Sequence, residues 1–270
     1  MKRLRVVVLF GGRSVEREVS RISARTIVGA LDPSRYEVVP LAVGQDGRFL
    51  SPAVSGGLLS SGRMPEKFLA GEKDAAPPGE AIVPAEIGPS RADVVIPIIH
   101  GTTGEDGTLQ GFLKLAQIPF VGCGVLGSAI CMDKEVARTL MATAGIPVVE
   151  TVVANDEEWQ SNPNALLDRV EKKLGYPYFV KPANAGSSVG VHKVKNRNEA
   201  KEFIGDSFLF DLKVLFEQSV DAREIECSVL GNAKPRASIL GEIVPKHEFY
   251  SYEAKYMEKM APNFASPQRI

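Results

Sequence analysis

The chain has little of what would place it outside the cell or in a membrane. Its 270 residues hold three cysteines, Cys123, Cys131 and Cys227. They form an odd, scattered set with no C-x-x-C pair, which predicts reduced thiols in a cytoplasmic protein. No apolar run approaches the roughly 18 residues of a membrane-spanning helix. The apolar N-terminal run, Val6 to Phe10, stops at Gly11-Gly12-Arg13. It is too short for a signal peptide and reads as a first core strand. Excess charge is absent too. The net charge is −1 and no basic run stands out, which argues against a surface that coats nucleic acid. There is no internal repeat. What remains is an ordinary globular composition, 44% hydrophobic and 24% charged, in a chain long enough for two domains with their own cores.

The first half alternates strand and helix. A strand at Arg5–Phe10 leads to a helix from about Ser14, a plausible N-cap, to Leu31. A strand at Tyr36–Val43 comes next. Ser51 to Arg91, rich in Gly, Ser and Pro, is expected to hold one short helix and otherwise to run over the surface. A strand at Asp93–His100, a helix near Thr108–Gln117 and a strand at Ile118–Val121 would complete an open, parallel α/β unit, whose active groups collect where strands end and helices begin. Further on, the pattern predicts helices at about Asp133–Ala144, Asn164–Leu174 and Asn198–Gly205. Strands are expected at Val148–Val153, Val214–Glu217, Glu224–Val229 and Ala237–Val244. The stretch after Tyr256 lacks periodicity and reads as a loose tail.

Tyr178 to Val194 is the most informative segment. A short apolar strand, Tyr178-Phe179-Val180, delivers Lys181. The loop Ala185-Gly186-Ser187-Ser188 follows, and then a second strand through Val189, Val191 and Val194. Without bulky side chains the loop can bring backbone N–H groups close to an anion, and a lysine at its entrance adds a charge suited to phosphate. The layout is strand–loop–strand, so it is neither a Walker loop nor a Rossmann turn. A plain glycine-serine hairpin is the structural alternative.

Other segments are ambiguous singly. Gly11-Gly12-Arg13-Ser14-Val15-Glu16 puts a glycine turn and an acid at a helix start, where N–H groups attract a carboxylate and Glu16 can hold an ammonium. Glu16 can equally just offset the helix dipole. In His100-Gly101-Thr102-Thr103-Gly104-Glu105-Asp106-Gly107-Thr108, His100 can face a substrate or be structural, and Glu105 and Asp106 suit catalysis or capping. Gly122-Cys123-Gly124-Val125-Leu126-Gly127 fits the G-x-G-x-x-G dinucleotide fingerprint with Glu150 beyond it. Lys134 can reach a phosphate or be an exposed helix lysine. Val214 to Val220, followed by Glu224, offers a strand edge for an adenine rim and an acid for ribose. Phe249-Tyr250-Ser251-Tyr252-Glu253-Ala254-Lys255-Tyr256 reads as core or as a lid.

In this order and spacing, G-G-R-S-V-E-R-E-V-S, H-G-T-T-G-E-D-G-T, C-M-D-K, K-P-A-N-A-G-S-S-V-G, the Glu217–Glu224 segment and F-Y-S-Y-E-A-K-Y resemble the D-alanine–D-alanine ligases of the ATP-grasp superfamily. The resemblance runs from Arg5 to about Tyr256. It implies an α/β fold: an open parallel-sheet N-terminal domain (residues 1–125), a first ATP-grasp subdomain (126–212) and the start of a second (213–270).

It also implies that Lys134, Lys181 and Lys255 contact the phosphates of ATP, that Ser188 belongs to the ATP-binding set, that Glu217, Gln218 and Val220 meet adenine and that Glu224 meets ribose. Glu16 would hold the ammonium of the first D-alanine, in a pocket lined by His100. Ser187 and Tyr256 would join Glu16 in closing the active-site loop over the second. The implied chemistry, serving peptidoglycan precursor synthesis, is attack of the first D-alanine carboxylate on the γ-phosphate, giving an acyl phosphate. The amine of the second D-alanine then displaces phosphate. Tyr256 favours an amine over a D-lactate acceptor. A homodimer is implied, and no nucleic acid or membrane partner.

The family places the carboxylates that bind Mg²⁺ or Mn²⁺ beyond its lid, and no Asp or Glu follows Glu258 here. The sequence therefore predicts a C-terminally truncated ligase, impaired because its metal ligands are missing. Two alternatives stand beside it: a non-catalytic nucleotide-binding remnant, and a dinucleotide-dependent oxidoreductase using Gly122 to Gly127.

Overall fold

The computed structural model describes residues 2–61 and 91–244 and the backbone of the strand Asn263–Ala265. Lys255 and Tyr256, with the rest of the aromatic segment at 249–256, lie outside the described residues. Two compact units emerge, Met1–Val148 with Ala183–Gly186, and Val149–Pro182 with Ser187–Ile270.

The first unit is built on β1 (Leu4–Gly11), β2 (Tyr36–Val43) and β3 (Val94–Pro97), all parallel in the order β2-β1-β3. β1 is apolar on both faces, as a central strand of a parallel sheet must be. Val7 and Leu9 join one core with Leu109 and Leu113 of helix α3 (Thr108–Leu115). Val6, Val8 and Phe10 join a second core with Ala24 of α1 (Arg17–Ala30) and with Leu58 and Leu59 of α2 (Pro52–Ser60). Helices α4 (Val125–Met132) and α5 (Lys134–Thr143) follow.

Three expectations change in this unit. Ser14 is not the N-cap: α1 starts at Arg17, Glu16 occupies the cap position, and Ser14 Oγ accepts the Glu16 N–H at 2.9 Å. The stretch Ile118–Val121 contributes a single parallel bridge, Val95 to Phe120, rather than a strand. Helix α4 has little signal in the sequence, because its single glycine and its small residues carry little helical periodicity.

The second unit contains β4 (Thr151–Asn155), α6 (Asp156–Ser161), α7 (Pro163–Leu174), β5 (Tyr178–Pro182), β6 (His192–Val194), α8 (Arg197–Phe208) and β7 (Lys213–Gln218). The sheet β4-β7-β5-β6 is antiparallel throughout. Tyr178, Val180, Val194, Val214 and Phe216 point to one face, against Leu166, Leu167 and Val170 of α7 and Ala200 and Ile204 of α8. By the two-residue alternation of strands, Phe179, Lys181, Lys193 and Glu217 occupy the other face.

β8 (Glu224–Glu226) and β12 (Asn263–Ala265) flank β11 (Gly241–Val244), while β9 (Val229–Leu230) pairs with β10 (Arg236–Ala237). The expected strands Glu224–Val229 and Ala237–Val244 are thus each broken in two. Between the pieces, Ser228 and Ser238 bond to each other through the Ser238 N–H, at 2.8 Å, and the Ser238 hydroxyl, at 3.0 Å. The presumed loose tail contributes β12, a strand of three residues, too short to show a period.

Candidate active site

In the first unit the site begins where β1 turns into α1. Gly11 and Gly12 have φ of +91° and +95°, which disfavours any residue with a side chain. A Cβ on Gly11 would stand 2.5 Å from the Val43 carbonyl, which accepts the Gly12 N–H at 2.8 Å. Ser20, fully buried in α1, accepts the Gly11 N–H at 2.7 Å and donates to the Ile98 carbonyl, tying the ends of β1 and β3 together.

This turn delivers Glu16, which is 4% exposed and makes no side-chain cap to its helix. Two glycines make room for its carboxylate. A Cβ on Gly186 would lie 3.1 and 3.2 Å from the two carboxylate oxygens, and one on Gly101 would meet Oε2 and stand 2.6 Å from Ser14 Oγ. The sequence places Glu16 at a helix start; only the fold sets it beside the Gly186 loop.

The His100 loop is held by its own carboxylates. Glu105 Oε2 accepts the Gly101 N–H at 2.7 Å, and Oε1 faces His100 Nδ1 at 3.6 Å. The far ring nitrogen, Nε2, is 3.1 Å from the Ser23 hydroxyl. The Glu105 contact raises the His100 pKa against the opposing effect of burial, with Glu16 adding to the rise. Burial pushes Glu105 up, but His100 and the Gly101 N–H outweigh it and hold this carboxyl low. Asp106 accepts from the Thr103 and Thr108 N–H groups at 2.8 and 2.9 Å, which is the capping alternative.

His100 and Glu105 line a cavity of about 410 Å³ together with Gly122, Cys123, Cys131 and Met132. The G-x-G-x-x-G segment therefore forms cavity wall and opens α4 without a leading strand. That is not the strand–turn–helix setting a dinucleotide fingerprint needs.

Lys134 is not an exposed helix lysine. Asp133 caps α5 by accepting the Glu135 and Val136 N–H groups at 3.0 and 3.1 Å. Lys134 turns back, its ammonium donating to the Ala183 and Ala185 carbonyls at 3.2 and 2.5 Å. It grips the chain just before Gly186.

In the second unit, Lys181 Nζ donates to the buried carboxylate of Glu217. Lys181 and Lys193 approach the Phe179 ring at 5.4 and 5.9 Å from its centroid. Phe179 and Lys193 were not singled out from the sequence. Counting by twos from Lys181 reaches Phe179, but Lys193 joins only through its pairing opposite Phe179.

Ser187 and Ser188 both adopt left-handed backbone, φ +50° and +60°. Gly190 anchors the loop: its carbonyl accepts from Ser207 Oγ at 2.8 Å, and a Cβ there would stand 2.6 Å from the Phe210 ring. Gln218 ends β7, Val220 follows it with an exposed side chain, and Glu224 opens β8, also exposed. Among the described residues, no three His, Cys, Asp or Glu side chains gather as a cation site would require.

Two family models match the chain: the D-ala D-ala ligase N-terminus over residues 5–123 and the D-ala D-ala ligase C-terminus over residues 140–268. The chain is 46% identical to a D-alanine–D-alanine ligase A of Chromobacterium violaceum, covering 100% of this chain and 75% of that protein. It is 43% identical to a D-alanine–D-alanine ligase of Caldicellulosiruptor bescii, over 96% of this chain and 71% of that one. A solved structure of the VanG D-Ala:D-Ser ligase from Enterococcus faecalis superposes with a TM-score of 0.75 at 32% identity, covering 100% of this chain and 78% of its own. With both halves of the family matched on one chain, and with relatives 46% and 43% identical over nearly all of it, the protein belongs to the D-alanine–D-alanine ligase family.

Proposed function

We propose that this chain ligates two D-alanines in an ATP-dependent reaction through an acyl phosphate. The observation that carries the reading is the seating of Gly186 against the Glu16 carboxylate. It puts the glycine-serine loop, whose N–H groups suit an anion, at the acid that suits an ammonium. The first D-alanine carries both charges.

In this reading Glu16 holds the ammonium of the first D-alanine and His100 borders its pocket. Lys134 fixes the loop entrance and, with Lys181, Ser188 and Lys255, serves the phosphates. Glu217, Gln218 and Val220 serve adenine, and Glu224 serves ribose. The sheet face bearing Phe179, Lys181 and Lys193 fits a nucleotide, since it offers a flat ring and two ammonium groups, all half-buried. Ser187 and Tyr256 close the site over the second D-alanine. The family implies a divalent cation, but the described residues hold no donor set for one, so no step is assigned to it.

The proposal includes the domain division 1–125, 126–212 and 213–270, a homodimer and a cytoplasmic location. No helix among the described residues is long and apolar enough to cross a membrane.

The test is phosphate release from ATP by the purified chain with Mg²⁺, with and without D-alanine. Release that depends on D-alanine is expected. ATP binding without such release would select the nucleotide-binding remnant instead. The likeness to a D-Ala:D-Ser ligase makes D-serine the acceptor to run in parallel, with D-lactate as a third; preference for D-lactate at neutral pH would refute the role given to Tyr256.

A further inference from the structure

His100 is contacted on two sides, and the proposed function gives a role to neither partner. Glu105 stands at Nδ1, itself fixed by the Gly101 N–H. At Nε2 stands Ser23, a half-buried residue in the second turn of α1, with its hydroxyl 3.1 Å away. We infer that Ser23 is a positioning residue, which with Glu105 fixes the tautomer and the plane of the His100 imidazole at the cavity wall. The inference rests on the reading of His100 as a substrate-lining group.

The chemistry of the two partners decides the arrangement. A carboxylate only accepts, so Glu105, 3.6 Å away, favours the hydrogen on Nδ1 by its charge. The neutral ring then has its lone pair on Nε2, where the Ser23 O–H donates. When the ring is protonated, the same hydroxyl rotates and accepts from Nε2–H. Serine therefore serves both charge states of the ring without moving, which alanine cannot do. Glu16 is the other charged group acting on this ring. It bears on charge alone, whereas Ser23 and Glu105 bear on orientation. An imidazole held at only one nitrogen can swing about its Cβ–Cγ bond, so a substrate packed beside it would lose a fixed wall.

The test compares Ser23→Ala and Ser23→Thr with the wild type by two readouts. The first is steady-state kinetics. Ser23→Ala is expected to raise the KM for D-alanine about 5–10-fold, the worth of one hydrogen bond, with the KM for ATP unchanged. Ser23→Thr keeps the hydroxyl and is expected to restore the wild-type value. The second is ¹⁵N NMR of histidine-labelled protein. The chain has three histidines, and His100 is identified by its loss in His100→Asn.

Wild-type His100 is expected as the Nδ1–H tautomer and Ser23→Ala as a mixture. An unchanged tautomer in Ser23→Ala overturns the inference. So does an equal rise of both KM values, which is what a merely structural role would give. A tautomer that responds to Ser23→Ala in a protein showing no D-alanine-dependent turnover would sink the ligase reading while leaving the positioning role standing.

Discussion

Lys181 and Glu217 form an ion pair across neighbouring strands, with the carboxylate 3% exposed and the ammonium side chain 25% exposed. The register explains the meeting. Phe179 pairs with Glu217 and Lys181 with Leu215, so the two charged residues are diagonal neighbours on one face. Removing the lysine alone takes a charged partner from a buried carboxylate. Lys181→Met is expected to destabilise the fold by about 1–3 kcal/mol and to abolish nucleotide binding. Adding Glu217→Gln should recover much of the stability and none of the binding. Thermal unfolding and ATP titration of the single and double variants check both halves.

Gly186 leaves just enough room for the Glu16 carboxylate. An alanine Cβ there would stand 3.1 Å from one oxygen, so the loop or the acid must shift by a few tenths of an ångström. Gly186→Ala is expected to lower D-alanine-dependent turnover by about 10–100-fold while changing stability by less than about 1 kcal/mol, because positioning is far more sensitive than folding to such a shift. Steady-state kinetics beside a urea melt separates the two effects.

The His100–Glu105 pair should leave a mark on stability against pH. His100 is raised above its ordinary value of 6.5, so its contribution is complete below that value and is lost as pH rises through the folded pKa. Glu105 is lowered from 4.5, so its contribution is complete above that value and is lost as pH falls through the folded pKa. The pair therefore favours the interval between the two ordinary values. Glu105→Gln should flatten both limbs in urea unfolding run from roughly pH 3 to pH 9.

Asp133 matters more than its position suggests. Helix α5 has no fully buried residue, so its first turn depends on the two N–H groups that Asp133 caps. Asp133→Ala is expected to cost about 1 kcal/mol and to loosen the turn that aims Lys134 at the Ala183 and Ala185 carbonyls. Hydrogen exchange should show faster opening of the amides of Glu135 and Val136, and the KM for ATP should rise.

Much of this molecule is legible along the chain because the deciding forces are local. The apolar run of β1, the glycine turn at Gly11-Gly12 and the alternation through Tyr178 to Lys181 each encode their own conformation. Their order and spacing carried the resemblance to the ligase family. Short pieces were legible only in part. The broken strands around Ser228 and Ser238 are set by cross-strand bonds that no window of sequence contains. Lys134 shows the same limit, since a lysine at a helix start looks exposed until the chain fifty residues later supplies carbonyls to receive it.

The sequence by itself determined which residue types stand in which motifs, and hence the family, because backbone preference and hydrophobic period act over a few residues. Only the tertiary structure decided that Gly186 rests on Glu16, that Ser23 holds the far side of His100 and that Lys193 joins Lys181 over Phe179. Those contacts join segments far apart in the chain, and strand register and helix packing alone bring them within bonding distance.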